Sequence, residues 1–334
     1  MAFVYVSNAV SGGITVLHMA GDGELSLQLA CQLSGSLAPM AVSPGKKMLY
    51  VAQRGDLNAI LSLAIHSLTG EFTQLAVTPL SAKMSYLARD HSGAFLLAAS
   101  YHSHHISVLS LGADGLPYGK ECIYETPQHP HSVLMSPDNS HALVACLGAD
   151  VLLVYDFDAY TGLLTPRPSS TWAARAGSGP RHMRFSACGC FVYLLNELDA
   201  TLDVLAWHAE TAHLQHLQTV PTFPPGFDAK PWAADIHLSP DGRCLISSER
   251  SSSMLAVFHV DTDTGLLTLA GHTPTEVQPR GFAIHDNGQH VLVAGQQSHH
   301  VSCYRLDTSS GTLDFQQRMQ TGKEPNWIEI VALP

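Results

Sequence analysis

Four dipeptides in this 334-residue chain place a polar, chemically capable residue directly after a proline: Pro130-His131, Pro180-Arg181, Pro279-Arg280 and Pro325-Asn326. An imidazole can take a proton from water near neutral pH, and a guanidinium can bind an oxyanion or a phosphate through parallel hydrogen bonds. Gathered in one site, these groups could bind and process an anion.

Further polar residues follow or interrupt apolar runs elsewhere in the chain. They occur in Gln53-Arg54, in Asn196-Glu197, in Ser248-Glu249-Arg250, in Arg181-His182 and in the segment Trp232-Ala-Ala-Asp235-Ile-His237. Each candidate also has a structural interpretation. Arg181 and Arg280 could pair with Glu197 and Asp235 only to join elements together, and His131 could be a hydrogen-bonded core histidine.

A repeat of 46 to 53 residues predicts the elements that position these groups. Each copy has a small turn followed by a β-prone run, a hairpin signal, and four short strands with their turns fill such a period. The copies are SPGKKMLYVA from Ser43, DHSGAFLLAA from Asp90, SPDNSHALVA from Ser136, SACGCFVYLL from Ser186, SPDGRCLISS from Ser239 and HDNGQHVLVA from His285. The sequence therefore predicts an all-β, seven-bladed propeller that forms a single domain over residues 1–334.

The seventh copy is divided between the two ends of the chain. Glu324–Val331 resembles the first strand of a blade, Phe3–Val6 the second and Ile14–Leu17 the third. Both termini should therefore build one blade, which closes the ring and removes an exposed sheet edge. The alternative, a β-sandwich array of similar repeats, leaves the divided copy unexplained.

Composition excludes several classes of protein. Lys and Arg number 17 against 28 Asp and Glu, which gives a net charge of −11, so neither nucleic acid nor an anionic membrane is an expected partner. The seven scattered cysteines do not form a disulfide framework, and we find no signal peptide and no membrane-spanning run. We expect a cytoplasmic protein that is a monomer or a weak homo-oligomer.

Two pairs of adjacent histidines suggest a metal motif at first sight. They lie in Ser103-His-His-Ile-Ser107 and Ser298-His-His-Val-Ser302, at equivalent places in two repeats. Neighbouring residues on a strand point to opposite faces, so such a pair binds one ion poorly. Repeat equivalence explains both pairs, and we expect no metal and no organic cofactor.

Six segments resemble the bacterial 6-phosphogluconolactonase family of seven-bladed propellers. They are HPHSVLMSPD from His129, GPRHMRF from Gly179, NELDATLDV from Asn196, WAADIHLSPDGR from Trp232, PTEVQPRGFAIHDNG from Pro274 and GQQSHHVSCY from Gly295. The resemblance extends from FVYVSNA near the N-terminus to PNWIEI near the C-terminus. It implies a lactone hydrolase that opens 6-phosphoglucono-δ-lactone to 6-phosphogluconate in the oxidative pentose phosphate pathway, without a cofactor.

The resemblance also implies a catalytic set. Lactone-forming relatives on the same scaffold use a His, two Arg and a Glu, which match His131, Arg181, Arg280 and Glu197. The secondary candidates, for substrate contacts, are Arg54, His182, Asp235, His237 and Asn326. Two other functions stay open: another lactone hydrolase or a muconate-type cycloisomerase, and a non-catalytic binding propeller.

Overall fold

Antiparallel sheets recur seven times along the chain in this computed structural model, which describes residues 2–332. Strands β1 to β7 are Ala2–Asn8, Gly13–Met19, Leu25–Gln32, Ser36–Val42, Met48–Arg54, Ala59–Ile65 and Phe72–Pro79. Strands β8 to β15 are Tyr86–Arg89, Phe95–Ser100, His105–Leu111, Pro117–Glu125, Pro130–Met135, His141–Cys146, Val151–Phe157 and Leu164–Pro166.

The second half of the chain repeats the same pattern of strands. Strands β16 to β22 are Trp172–Ala173, Pro180–Phe185, Phe191–Asn196, Thr201–His208, His213–Pro221, Ala233–Leu238 and Cys244–Glu249. Strands β23 to β29 are Met254–Val260, Leu267–Pro274, Pro279–Ile284, His290–Gly295, His300–Asp307, Thr312–Gln320 and Pro325–Ala332. The helices in the described chain are two short 3₁₀ turns, Leu147–Ala149 and Pro168–Ser170.

Six of the sheets form from consecutive strands and one from both ends of the chain. Blades 2 to 7 begin with β4, β8, β12, β17, β21 and β25, and blade 4 carries the short β16 as a fifth strand. Blade 1 has the order β29-β1-β2-β3, with Ala2 paired to Ala332 and Phe3 to Val331. The predicted divided blade is confirmed.

The first strands of the blades contact one another in a closed ring. β4 contacts β8, β8 contacts β12, and the series continues through β17, β21, β25 and β29 back to β4. The predicted seven-bladed propeller is therefore confirmed, and the first strands surround its central channel. Because neighbouring strands run antiparallel, the start of each first strand and the end of each second strand lie at the same mouth of this channel.

Burial explains why the strands differ in sequence. Second strands such as β9 and β13 are buried along their whole length, because both of their faces pack against neighbouring blades. The outer strand β28 is instead mostly exposed, with only Leu313 buried. Each core cluster joins adjacent blades, as where Leu143 and Val154 pack with Met183 and Leu194.

Within residues 2–332, the structure contains no helix with the length and apolar character needed to cross a bilayer.

Candidate active site

A β-bulge at the start of the first strand aims one polar residue into the channel in each of four blades. In blade 5, Pro180 pairs with Asn196 and His182 with Leu195, so Arg181 is the extra residue between them. The same register shift leaves His131, Arg280 and Asn326 as the extra residues of their blades. A bulged residue is left out of the ladder and its side chain is re-aimed, which fits a site at this mouth.

The turn after each second strand supplies the other side chains of this mouth. The last pair of the second and third strands is Gln53↔Ala59 in blade 2 and Asn196↔Thr201 in blade 5. The residue directly after the second strand's member of this pair occupies an equivalent position in every blade. Around the ring these residues are Ala9, Arg54, Tyr101, Leu147, Glu197, Arg250 and Gln296.

Two adjoining cavities open where these positions converge. The first, which we call the mouth cavity, has a volume of about 230 Å³ and is lined by Arg54, Lys83, Met84, Ser85, Tyr101, His102, His131, Glu197, Trp232, Arg250 and Arg280. The second, the axial cavity, has a volume of about 190 Å³, and Arg181, His182 and Asn326 contribute to its lining. Arg54, Ser85 and Arg280 line both cavities. The four predicted catalytic residues thus line two adjoining cavities that share part of their wall.

His131 is held as a neutral imidazole at the wall of the mouth cavity. Burial and the nearby Arg181 guanidinium lower the pKa of His131 well below its ordinary value. Its Nδ1 is buried without a hydrogen-bond partner among residues 2–332, which leaves Nε2 as the nitrogen open to the cavity. A neutral imidazole with one accessible nitrogen can accept a proton from water.

Glu197 forms ion pairs with two arginines, Arg181 and Arg250. Arg181 Nε donates to Glu197 Oε2 at 2.7 Å, and Arg250 Nη2 lies 3.0 Å from the same oxygen. Burial alone would raise the pKa of the Glu197 carboxyl, but Arg181 and Arg250 outweigh burial and hold the pKa below its ordinary value. Trp232 Nε1 donates to the other oxygen, Oε1, at 3.2 Å. Glu197 is therefore an ionised carboxylate with three of its roughly four acceptor sites occupied.

Arg181 is similarly fixed by its neighbours. Besides Glu197, its guanidinium donates to the carbonyl of Ala234 and to His182 Nε2. His182 Nδ1 in turn donates to Asp235 Oδ1 at 2.7 Å, so the imidazole presents its unprotonated nitrogen to Arg181. Arg181 joins two blades through its hydrogen bond to Ala234 of blade 6, whereas Glu197 and His182 belong to its own blade 5.

Arg280 has the opposite character. Within residues 2–332 its guanidinium forms neither a hydrogen bond nor an ion pair, although it lines both cavities. Burial and the neighbouring Arg181 and Arg54 lower the pKa of Arg280 to about 10, so it remains cationic at neutral pH. A partly buried cation with free donors is costly unless a ligand supplies the partner.

The sequence predicted Asp235 and His237 at the same mouth of the channel as His131 and Arg280, but neither residue lines the mouth cavity. Both line a third cavity of about 450 Å³ at the opposite end of the channel, with Arg184 and Glu329. In blade 6 the register shift spans Ala233 to Ile236, so Ala234 takes the position that Arg181 has in blade 5. Asp235 lies one residue further along, where its carboxylate bridges His182 and His237.

Seven of the eleven residues that line the mouth cavity were missing from the predicted set, among them Arg250, Tyr101 and Lys83. Arg250 was noticed but not selected, and its guanidinium lies 3.8 Å from the ring centroid of Trp232. Tyr101 occupies the same turn position as Arg54 and Glu197, so applying that rule to every blade would have found it. Lys83 precedes β8, which, like β21, has no proline at its start, and no repeat signal marks it.

The structure also bears on metal binding. Among residues 2–332, no group of three or more His, Cys, Asp or Glu side chains is arranged to hold an ion. His104 and His299, from the two histidine pairs, occupy left-handed turn positions before the third strand, with φ of 55° and 61°.

Comparison with known proteins agrees with this fold. The family model described as lactonase, 7-bladed β-propeller, matches residues 2–330. The chain belongs to this family. It is therefore a lactone hydrolase, as the resemblance implied.

The family includes relatives that match the chain over nearly its whole length. A 6-phosphogluconolactonase of Pectobacterium carotovorum is 37% identical over 330 residues, covering 99% of this chain and 98% of the relative. A 6-phosphogluconolactonase of Cronobacter sakazakii is 36% identical, with 98% of each chain covered. The solved structure of a periplasmic gluconolactonase from Pseudomonas aeruginosa superimposes with a TM-score of 0.92 at 29% identity, covering 100% of this chain and 99% of that one.

Proposed function

We propose that this lactonase hydrolyses 6-phosphoglucono-δ-lactone to 6-phosphogluconate, as a cytoplasmic step of the oxidative pentose phosphate pathway. The observation that carries the proposal is the cationic mouth cavity. Arg54, Lys83, Arg250 and Arg280 line it against a single carboxylate, Glu197, in a chain whose net charge is −11. Such a local excess of cations suits a phosphorylated, anionic substrate. The names of the relatives and seven unpaired cysteines, as in a reducing compartment, support the assignment.

The reaction begins with water. His131 Nε2 takes a proton from the water molecule as its oxygen attacks the lactone carbonyl, and general-base help of this kind is worth about 10²–10⁴-fold. Binding of a dianionic phosphate nearby favours the protonated imidazole and so raises the basicity of His131 at the moment when it is needed.

The tetrahedral intermediate carries its negative charge on the former carbonyl oxygen. Arg280 suits this oxygen, because its donors are free while those of Arg181 and Arg250 are bound to Glu197 and backbone carbonyls. When the intermediate collapses, the bond between the carbonyl carbon and the ring oxygen breaks. Protonated His131 returns its proton to that oxygen, which becomes the hydroxyl of the open-chain acid.

A second candidate substrate is an unphosphorylated gluconolactone. The observation that favours it is the close superposition on a protein described as a gluconolactonase. The same His131 and Arg280 chemistry would serve, and only the contribution of the phosphate group to binding would differ. A muconate-type cycloisomerase remains the sequence-based alternative on the same scaffold.

The test is an assay on freshly generated 6-phosphogluconolactone, corrected for spontaneous hydrolysis, beside glucono-δ-lactone. We expect kcat/KM to be higher for the phosphorylated lactone by at least tenfold. Equal or lower values for it would transfer the proposal to the unphosphorylated substrate, and no rate above the spontaneous one for either would remove both.

The variant Arg280→Ala provides the mechanistic control for this assay. We expect kcat/KM to fall by about 10²–10³-fold, because the intermediate loses its free cationic donor. Circular dichroism and thermal unfolding should match the parent protein, since Arg280 makes no hydrogen bond within residues 2–332. The control variant is Arg305→Ala, which removes an exposed arginine on β27 and should leave turnover unchanged. Normal turnover in Arg280→Ala would exclude Arg280 from the site.

A further inference from the structure

Lys83 extends to the mouth cavity from a well-anchored backbone. It lies in the connection between β7 and β8, and its carbonyl accepts a hydrogen bond from Ser100 Oγ at 2.9 Å. The side chains on either side of it, Ala82 and Met84, are buried, whereas Lys83 itself is exposed and lines the cavity. The lysine stem therefore starts from a fixed point at the rim.

The other cations of the site differ in how many donors they have free. Arg181 and Arg250 are bound to Glu197 and to backbone carbonyls. Arg54 uses Nε and Nη2 on the carbonyl of Met84 and keeps Nη1 free. Among residues 2–332, neither Lys83 nor Arg280 forms an ion pair. The unpaired positive charge of the mouth is therefore carried by Lys83, Arg280 and one edge of Arg54.

Lys83 and Arg54 lie side by side. Arg54 Nε is 2.8 Å from the carbonyl oxygen of Met84, the residue that directly follows Lys83. The guanidinium is thus attached to the backbone segment from which the lysine projects. An ammonium and a free guanidinium edge from adjacent places can together bind the several oxygens of one phosphate.

We propose that Lys83, with Arg54, binds the substrate's phosphate at the rim of the mouth cavity and thereby selects phosphorylated over unphosphorylated lactones. This inference rests on the proposed function and assigns an orientation within the site. The phosphate lies beside Lys83 and Arg54, and the lactone carbonyl lies inward beside His131 and Arg280. Lys83 acts as a specificity residue that makes no contact with the reacting carbonyl.

The test compares Lys83→Met with Lys83→Arg, and with Lys120→Met as a matched control. Lys120 is an exposed lysine on β11, in the outer strand of the same blade. We expect Lys83→Met to lower kcat/KM for 6-phosphogluconolactone by about tenfold or more, mainly through KM, because a charged hydrogen bond is lost. For glucono-δ-lactone the same variant should stay within twofold of the parent protein. Lys83→Arg should keep most of the preference, and Lys120→Met should change neither value.

A binding measurement separates this inference from the proposed function. Calorimetry with 6-phosphogluconate and with gluconate reports phosphate recognition without turnover. We expect the parent protein to bind 6-phosphogluconate more tightly than gluconate, and Lys83→Met to reduce that preference about tenfold. Equal losses for the two ligands, or no loss, would overturn the role of Lys83 even if the enzyme hydrolyses the phosphorylated lactone. Loss of the preference in Lys83→Met would support it even if turnover of that lactone proves slow.

Discussion

His131 and Glu197 differ in how their charges are held, although both line the mouth cavity. The histidine is neutral with one nitrogen open to the cavity, and the glutamate is ionised with its oxygens bound to Arg181, Arg250 and Trp232. The sequence left the choice of general base open between them. The hydrogen bonds favour His131 as the base and Glu197 as the residue that positions two arginines.

Paired substitutions distinguish these roles. We expect His131→Asn to lower kcat by about 10²–10⁴-fold with unchanged stability at neutral pH, because only a proton acceptor is lost. Glu197→Gln should lose activity together with about 3 kcal/mol of unfolding free energy, since two buried cations lose their counter-ion. Kinetics and urea unfolding of both variants measure this. A fully stable but inactive Glu197→Gln would favour Glu197 as the base instead.

The pH dependence of turnover tests the protonation state of His131. Burial and Arg181 lower the pKa of this imidazole, and catalysis needs its neutral form. The acid limb of kcat/KM should therefore lie well below pH 6.5, the ordinary value for histidine. Because a phosphate monoester itself ionises near pH 6, the profile should be recorded with glucono-δ-lactone as well. An acid limb at or above pH 6.5 with both substrates would contradict a neutral, buried base.

The elements position these side chains through bulges and tight turns. Proline before His131, Arg181, Arg280 and Asn326 was readable in the sequence, and it predicted which side chains enter the channel. The bulge itself was not readable, because an extra residue exists only relative to a partner strand. Asp235 was therefore misplaced. In blade 6 Ala234 is the extra residue, so Asp235 takes the position that His182 has in blade 5, and it lies beside His182, facing the opposite cavity.

Two glycines before β17 provide a matched test of this local geometry. Both donate their backbone N–H to Asp150, and both have left-handed φ, +79° at Gly177 and +70° at Gly179. A Cβ at Gly177 would meet open space, whereas a Cβ at Gly179 would lie 2.6 Å from Leu198 Cγ.

We expect Gly177→Ala to lose about 1 kcal/mol of unfolding free energy from backbone strain alone. Gly179→Ala should lose more and should also lower kcat, because displacing Leu198 moves the adjacent Glu197. Chemical unfolding and lactone assays on both variants provide the comparison. Equal effects of the two substitutions would show that the contact with Leu198 does not matter.

At the scale of the whole molecule, buried histidines near the channel axis link stability to pH. Burial and Arg181 lower the pKa of His182 to about 3, and the pKa of His131 is also lowered. The unfolded chain binds protons at these positions near pH 6.5, while the folded chain does not. This stabilisation is therefore fully present above about pH 6.5 and is lost as the pH falls towards 3.

We expect the free energy of unfolding to fall by roughly 4 kcal/mol between pH 7 and pH 5, about 2 kcal/mol for each histidine, measured by urea unfolding. His131→Asn should show a shallower fall, because one of the two buried imidazoles is then absent. A free energy that stays constant over this range would mean that these histidines bind protons equally well in both states.

The ring as a whole was predictable because seven copies of one period leave little choice of architecture, and even the divided blade was visible in its two halves. The location of Lys83 at the mouth cavity was not predictable, because a single exposed lysine without a repeat equivalent looks like any surface residue. Its proposed role depends on Arg54, which is distant in sequence and comes beside it in the fold through a hydrogen bond to the carbonyl of Met84.

The pairing of β29 with β1 also has a consequence for biosynthesis. β1 is synthesised before every other strand of the propeller, and its partner β29 is synthesised after all of them. Until β29 has been made, the nascent propeller has one unpaired edge on β1 and a gap in its ring. The lifetime of that unfinished intermediate is set by how fast the strands between β1 and β29 are translated.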